Sequence, residues 1–473
     1  MSKLNILLII TDQLSAQALP AYGDTYARTP HIDRILDRGV RFDRCYTNCP
    51  LCQPARAAFW TGRFPHSTGV LSNGRKHPVP PVPETVPTLG ALFSEAGYET
   101  VHFGKTHDAG SLRGFTVAPV DELPVEAEPG WPLNGDTFRD RYTTAQVVSY
   151  LQEREAHPET PFLLVADLVN PHNICGWVGE NAYAHQDVPV SVPLPPLPPN
   201  FDVDDMDRRP LPVQYICCSH NRLSQSAPWT ETNYQHYLAA YYHYLARVDD
   251  EIGLILDALE ARADGADTLV VFTSDHGDGM AVHRLVTKQV SMYDNTTRVP
   301  LAFAGPEIVG EGRALPETLV SNLDLLPTLC AYAGIEAPEG LWGQNLMPWL
   351  AGEGEGMPHD YVASEWHTEW GFTVSPGRML RTSRYKYVRY LEGCEQGLCE
   401  ELYDMLADPG ETQTLVDDLV HAEVLQEHRS LLDEHVAATN DDFFGLSWEA
   451  DVRWRSHTPG YANHRGPAAP MVP

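Results

Sequence analysis

The segment CPLCQPAR, residues 49–56, contains two overlapping patterns that imply different chemistry. Cys49 and Cys52 form a C-x-x-C pair, which is typical of redox or zinc-binding thiols. Cys52, Pro54 and Arg56 form a C-x-P-x-R pattern, in which only the second cysteine would be reactive. The two interpretations lead to different functions, so the surrounding residues have to decide between them.

The residues after Cys52 favour the C-x-P-x-R interpretation. Pro54 fits the first turn of a helix, where its missing N–H costs nothing, so we expect Cys52 at a helix start. A helix amino terminus suits a tetrahedral oxyanion such as sulfate or phosphate. Arg56 lies one turn along the same face and can reach that anion or a group derived from the cysteine. A zinc site would need a second thiol or imidazole pair, and a redox pair usually occurs on a smaller, thioredoxin-sized unit.

Four segments begin with an apolar, β-branched run and end in polar residues of recurring types. They are residues 5–13, 98–107, 161–173 and 267–278. Each segment is expected to form a buried strand of a parallel sheet. Ligands bind such sheets beyond the carboxyl ends of the strands. That loops are polar in general would explain any one of these residues, but not the repeated use of Asp, His and Lys. The residues expected at this edge are Asp12, Gln13, Lys105, His107, His172, Asp275 and His276.

The elements that must position these residues alternate between strands and helices. Helical spacing of apolar residues ends at Gly39 and again at Gly97. This alternation predicts an α/β fold with a doubly wound, mostly parallel sheet. Later segments are strand-like and predict a smaller C-terminal antiparallel α+β subdomain. We therefore divide the chain into a catalytic domain, residues 1–360, and a C-terminal subdomain with its tail, residues 361–473.

Composition limits the partners of this chain. Its 473 residues include 64 acidic and 33 basic side chains, and the net charge of −31 disfavours nucleic acids and anionic membranes. The nine cysteines are scattered, which indicates reduced thiols. The first apolar run stops at Asp12 without a cleavage-site pattern, and no apolar run reaches the roughly 20 residues of a membrane span. These features predict a cytoplasmic location, unless a signal peptide has been removed.

The segment CQPAR, followed by AAFWTGRFPHSTGV, resembles the signature of the sulfatase family. These formylglycine-dependent enzymes belong to the alkaline-phosphatase-like superfamily, and the cysteine of their C-x-P-x-R pattern is converted to formylglycine. NILLIITDQ is similar to the family's first strand, GKTH to its Gly-Lys-x-His motif and TSDHGD to its metal motif. Three further segments, TPHIDRILDRGVRFDRCYT, SNLDLLPTLCAYAGI and RTSRYKYVRYLEG with ELYDMLADPGE, are similar to the first helix, a late helix and the C-terminal subdomain. These matches, in the right order over most of the chain, identify it as a member.

The resemblance implies hydrolysis of a sulfate monoester by a formylglycine derived from Cys52. One divalent cation would be held by this group together with Asp12, Gln13, Asp275 and His276. Many family members have Asp in place of Gln13 and Asn in place of His276, so Ca²⁺ is expected first while Mn²⁺ and Zn²⁺ stay open. A formylglycine-generating maturation enzyme is then an expected partner.

The resemblance also implies roles for the remaining polar residues. Arg56 would steady the formylglycine hydrate as it displaces the alcohol from sulfur. Lys105 and Lys288 would bind the sulfate oxygens, and His172 would face the leaving oxygen. His107 would take the proton that drives sulfate release. Cations around the sulfuryl group and a proton donor for the alcohol are what this chemistry needs.

The expected substrate is a small sulfated sugar attacked at a chain end, because the net charge of −31 disfavours a long polyanion lying across the surface. Residues 75–77 could instead form a solvated basic loop, and the aromatic candidate Trp366 could instead be a core residue. The further candidate contacts to cation or substrate are Asn73, Arg75, Lys76, His77, His283, Trp366 and His367.

Two other functions are kept as alternatives. Phosphonate monoester hydrolases and phosphodiesterases resemble sulfatases in C-x-P-x-R and in an Asp-Gln, Asp-His metal set. Lys105 and His107 favour the sulfatase, because they resemble the pair that sulfatases place against sulfate and formylglycine. A protein that kept the fold without turnover would serve as a binding or redox module. The oligomeric state stays open.

Overall fold

The computed structural model describes residues 4–74, 79–120, 137–154, 160–181, 193–218, 229–288, 291–367 and 375–446. Its main sheet has eight strands and a second sheet has four. The strands of the main sheet are β1 (Asn5–Asp12), β2 (Val40–Tyr46), β3 (Glu99–Gly104), β4 (Thr116–Pro119), β5 (Phe162–Pro171), β6 (Thr268–Ser274), β7 (Arg298–Ala304) and β8 (Arg313–Ser321).

The main sheet is mostly parallel, in the order β4-β3-β5-β1-β6-β7-β2-β8. Strands β4, β3, β5, β1 and β6 all run in the same direction. Strand β7 runs against both of its neighbours, β6 and β2, while β2 and β8 are parallel to each other. The predicted α/β sheet is therefore confirmed, with β7 as its antiparallel member.

Helices cover both faces of this sheet. The α-helices of the described residues are α1 (Pro30–Arg38), α2 (Cys52–Thr61), α3 (Pro65–Thr68), α4 (Leu89–Glu95), α5 (Thr137–Glu153), α6 (Ile174–Asn181), α7 (Leu211–Cys218), α8 (Glu231–Glu260), α9 (Asp294–Thr297), α10 (Leu325–Ala333), α11 (Met347–Leu350) and α12 (Ala422–Thr439).

The central strand β1 shows why the sheet is doubly wound. Every residue of β1 is buried, because side chains alternate between two covered faces. Leu7 and Ile9 pack with residues of α1, α5 and α8. Leu8 and Ile10 pack on the opposite face with residues of α2, α4 and α10. The uninterrupted apolar run in the sequence is therefore the signature of burial on both sides.

The second sheet lies in the C-terminal part and is antiparallel throughout, in the order β12-β11-β10-β9. Its strands are β9 (Tyr361–Trp366), β10 (Gly377–Thr382), β11 (Tyr385–Tyr390) and β12 (Glu400–Asp404). One face packs against α12, and the other contributes to an apolar cluster that also contains Leu51, next to the start of α2. The predicted antiparallel C-terminal sheet is confirmed.

No helix in the described part of the chain combines the length and apolar character that a membrane crossing requires.

Candidate active site

Four adjacent parallel strands bring their carboxyl ends to one edge of the main sheet. In the order β3-β5-β1-β6, Asp12 ends β1, while Lys105, His172 and Asp275 directly follow β3, β5 and β6. Backbone bonds hold these ends in register: the Asp275 N–H donates to the Thr11 carbonyl at 3.3 Å. The edge expected from the sequence is thus present, and Asp12, Lys105 and Asp275 are buried there.

Cys52 is the first residue of α2, as the position of Pro54 predicts. The preceding Leu51 is extended, so the chain turns sharply into the helix at the cysteine. The Cys52 side chain is fully buried, and its Sγ lies 3.1 Å from His276 Nε2 and 3.8 Å from Asp12 Oδ1. This geometry joins the start of α2 to the ends of β1 and β6.

Four residues in this cluster could hold a metal ion: Asp12, Cys52, Asp275 and His276 each offer a ligand atom, and these atoms lie within 4.8 Å of one another. His276 Nδ1 is 2.8 Å from the Gly277 carbonyl oxygen, which can only accept, so Nδ1 carries a hydrogen. Nε2 is then the nitrogen that can ligate. Two carboxylates and one imidazole, joined by the amide oxygen of Gln13 and by an oxygen-bearing group derived from Cys52, would fit a divalent cation of the Ca²⁺ or Mn²⁺ type.

Arg56 is surrounded by carboxylates. Its guanidinium is fully buried and donates to Asp275 at 3.0 Å, to Asp167 at 2.6 Å and to Asp12 at 3.2 Å. Three buried acids hold the pKa of Arg56 well above its ordinary value, against the opposing effect of burial. Arg56 therefore orients the two candidate metal carboxylates.

Asp167 is a residue that the sequence analysis missed. It lies inside β5, and its Oδ2 also accepts from His102 Nε2 at 3.1 Å. A charged residue within the apolar run LLVADLVN was the available signal, because a carboxylate in a strand buried on both faces needs a cationic partner.

Both predicted lysines lie at the cluster. Lys105 Nζ contacts Asp12 Oδ2, and Lys288 Nζ donates to Gln13 Oε1 at 2.7 Å. His107 and His172 also lie close enough to Cys52 for side-chain interactions with it. His107 has a positive φ of 40°, so the chain leaves the extended conformation of β3 before this residue.

The two cysteines of the C-x-x-C pair have opposite environments. Burial raises the pKa of Cys49 well above its ordinary value, and nearby Glu365 adds to this effect. Burial also opposes ionisation of Cys52, but Lys288, Lys105 and His276 outweigh it and hold its pKa well below the ordinary value. All described cysteines whose side chains are placed are free thiols. Of Cys49 and Cys52, Cys52 is the one with the surroundings of a reactive group.

Neighbouring groups also shift the pKa of two other site residues. Burial, followed by the positive charge of Lys105, lowers the pKa of His172 to about 3, so its imidazole is neutral at neutral pH. Burial and the charge of Asp12 raise the pKa of Asp275 to about 6. A divalent cation between the two carboxylates would relieve this repulsion.

The other candidate contacts lie in several places. Asn73 Oδ1 accepts from the Gln53 N–H at 3.0 Å and so caps the first turn of α2. His283 is buried, and its Nδ1 lies 3.2 Å from Nη1 of Arg209. Trp366 is in the apolar cluster with Leu51, and His367 bonds to Glu365 and Arg378, so neither joins the Cys52 cluster through the contacts described. Arg75, Lys76 and His77 lie outside the described residues.

The family model for sulfatases matches residues 4–335, and the model for the C-terminal region of N-sulphoglucosamine sulphohydrolase matches residues 282–438. Together with the α/β fold and the buried Cys52 cluster, this match shows that the chain belongs to the sulfatase family. The protein is a sulfuric ester hydrolase, and the predicted family is confirmed.

Individual relatives are close. A Delta 4,5-hexuronate-2-O-sulfatase of Bacteroides thetaiotaomicron is 50% identical over 468 residues, covering 99% of this chain and 96% of the relative. A solved 2-O GAG sulfatase superposes with a TM-score of 0.91 at 49% identity and covers 100% of both chains. A phosphonate monoester hydrolase of Agrobacterium radiobacter superposes with a TM-score of 0.74 at 23% identity, covering 95% and 99% of the two chains, and so shares the fold.

Proposed function

We propose that this protein removes a 2-O-sulfate from a hexuronate at the end of a sugar chain, using a formylglycine derived from Cys52 and one divalent cation. The observation that carries the proposal is the position of Cys52 at the start of α2, buried against Asp12 and His276 and beside two lysines. We infer the sugar and the 2-O position from the hexuronate-2-O-sulfatase and the 2-O GAG sulfatase, which are 49–50% identical to this chain.

The cation would be held by Asp12, Gln13, Asp275 and His276, with Ca²⁺ the first choice. When bound, the cation and formylglycine would supply charge neutralisation and the attacking hydroxyl. Arg56 keeps the carboxylates of Asp12 and Asp275 in place by donating to both of them.

The lysines and histidines divide the remaining tasks. Lys105 and Lys288 carry the positive charge that binds the non-bridging sulfate oxygens. His172 faces the leaving oxygen; its ring is neutral before substrate binds, and the negative sulfate raises its pKa toward that of a proton donor. His107, which interacts with the side chain at position 52, takes up the proton when sulfate is released.

Two comparisons of reaction rate test this proposal. We expect kcat/KM to be higher for an aryl sulfate than for an aryl phosphonate monoester or an aryl phosphate diester, on one preparation whose formylglycine content is measured by intact mass. We also expect a 2-O-sulfated unsaturated hexuronate disaccharide to be hydrolysed faster than a 6-O-sulfated hexosamine. Cys52→Ala protein purified in parallel gives the background rate.

Each comparison can fail separately. A preference for the phosphonate or the diester would overturn sulfate-monoester specificity and favour the phosphonate hydrolase. A preference for the 6-O-sulfate would overturn only the sugar position. A Cys52 that stays an unmodified thiol after co-expression with a formylglycine-generating enzyme, in protein without turnover, would favour the non-catalytic binding module.

The domain division belongs to the same proposal. We assign residues 1–360 to the catalytic domain and residues 361–473 to the C-terminal subdomain, because the second sheet begins with Tyr361. The two parts share the bond from the Glu365 N–H to the Asn48 carbonyl, at 2.8 Å, just ahead of the nucleophile segment. A cytoplasmic location stays a prediction.

A further inference from the structure

The side-chain amide of Gln13 is held at both of its ends. Its Nε2 donates to Asp278 Oδ2 at 2.6 Å. Its Oε1 accepts from Lys288 Nζ at 2.7 Å and from Cys175 Sγ at 3.3 Å. The backbone of Gln13 is equally constrained, since φ is 69° and its N–H donates to Asp275 Oδ1 at 3.0 Å. The nitrogen of the amide therefore faces Asp278, and the oxygen faces the cationic side of the cluster.

Asp278 is itself fixed by α8 and by the loop after β6. Its Oδ1 accepts from the Tyr237 hydroxyl and from the Met280 N–H, the latter at 2.8 Å. The Tyr237 oxygen accepts from the Thr287 N–H at 2.8 Å, so its own hydrogen points to Asp278. Gln13, Tyr237 and Asp278 are fully buried. The oxygen Oδ2 is thereby aimed at Gln13.

We propose that Asp278 is a positioning residue that fixes the amide of Gln13 with its carbonyl oxygen toward the cation, and that Tyr237 holds Asp278 in this role. This inference rests on the proposed function, which places a divalent cation at Asp12, Gln13, Asp275 and His276. The amide at position 13 is neutral, and the carboxylate of Asp278 polarises it from behind, which makes its oxygen a better ligand. Asp278 thus contributes negative charge to the cation site indirectly, through the side chain of Gln13.

The substitution Asp278→Asn should turn this amide over. Tyr237 and Met280 both donate to Oδ1, so the oxygen of an asparagine would stay there and its NH₂ would face Gln13. Two NH₂ groups cannot pair, so Gln13 would rotate and present its own NH₂ toward Lys288 and the cation. A donor in place of an acceptor repels a metal ion.

The double substitution Q13E/D278N should restore the arrangement. The asparagine NH₂ would donate to one oxygen of the glutamate, and the other oxygen would face the cation. Q13E alone would instead place two carboxylates at the 2.6 Å contact and should be impaired. The pair therefore forms a reciprocal cycle, in which each single change is harmful and both together are not.

The cycle is tested by binding of Ca²⁺ and of Mn²⁺ to metal-stripped protein, measured by calorimetry with metal analysis after dialysis. We expect D278N and Q13E each to lose about 10-fold or more in affinity, the range typical for residues that orient metal ligands, and Q13E/D278N to recover most of it. Y237F should lose less than D278N. D24N is the matched control: Asp24 also accepts from a tyrosine of α8, Tyr242, and from backbone N–H groups at 2.6 and 2.7 Å.

The outcomes separate this inference from the proposed function. If the wild-type protein binds neither cation, the assigned cation site is wrong and the inference falls with it. If the wild type binds a cation but D278N binds it equally well, or Q13E/D278N is as weak as the sum of the single changes, Asp278 does not orient Gln13 and only this inference is overturned. Thermal melting identifies variants that fail to fold, and Y237F then carries the test.

Discussion

Asp167→Asn tests whether Arg56 is the electrostatic centre of the candidate site. The substitution keeps the shape of the side chain and removes its charge. Arg56 Nη1 and Asp167 Oδ2 are 2.6 Å apart, and both side chains are fully buried. Arg56 would keep its bonds to Asp12 and Asp275, but one buried cationic N–H would lose its carboxylate.

The size of the effect follows from burial. Breaking a buried ion pair by removing one partner costs about 3–5 kcal/mol, and the two remaining carboxylates favour the lower end of this range. The pair of Arg208 and Asp417, 2.8 Å apart, gives a matched control at a similar distance, because its side chains are 46% and 63% exposed. Such a pair contributes about 0–1 kcal/mol, so Asp417→Asn should be nearly neutral.

The assay is equilibrium unfolding in urea, monitored by tryptophan fluorescence. The comparison is valid if the free energy of unfolding falls with urea concentration at the same slope in both variants. We expect D167N to lose about 3 kcal/mol of the free energy of unfolding relative to D417N, together with a fall in kcat, since Arg56 orients Asp12 and Asp275. The reasoning is refuted if D167N and D417N unfold at the same urea concentration with the same slope.

Three further predictions concern the thiol pair, the metal and the pH dependence of stability. Cys49→Ser should keep most activity whereas Cys52→Ala should abolish it, because the nucleophile is lost; equal and severe losses in folded proteins would favour the thiol pair. Asp275→Ala should remove the cation and the activity together, and full metal occupancy by elemental analysis would contradict the assignment. Burial opposes protonation of His66, but its bond to Glu365 at 2.5 Å raises its pKa, so this contribution to stability is complete below the ordinary histidine pKa and is lost as pH rises through the raised value. His66→Gln should therefore lower the melting temperature more at about pH 6 than at about pH 9; an equal decrease at both would argue against the charged pair.

The fold class and the sheet edge that carries the candidate site could be predicted from the amino-acid sequence alone. Strand and helix periods are set by local backbone geometry. The buried run of β1 and the ends of α1 and α4, which glycines follow, could therefore be predicted without knowledge of tertiary contacts. The position of Pro54 likewise predicted that α2 begins at Cys52. Because parallel strands share a carboxyl edge, four strand ends were enough to predict which polar residues would meet there.

The partners of these side chains could not be predicted from the sequence, because they depend on how distant segments pack. Gln13 and Asp278 are separated by 265 positions, and Arg56 and Asp167 by 111, so their contacts depend on the order of strands in the sheet. No local period carries that order. The environment of a buried charge is also a property of the whole packing: Cys49 and Cys52 lie three residues apart, yet burial with Glu365 nearby raises the pKa of one thiol while lysines from two distant segments lower that of the other.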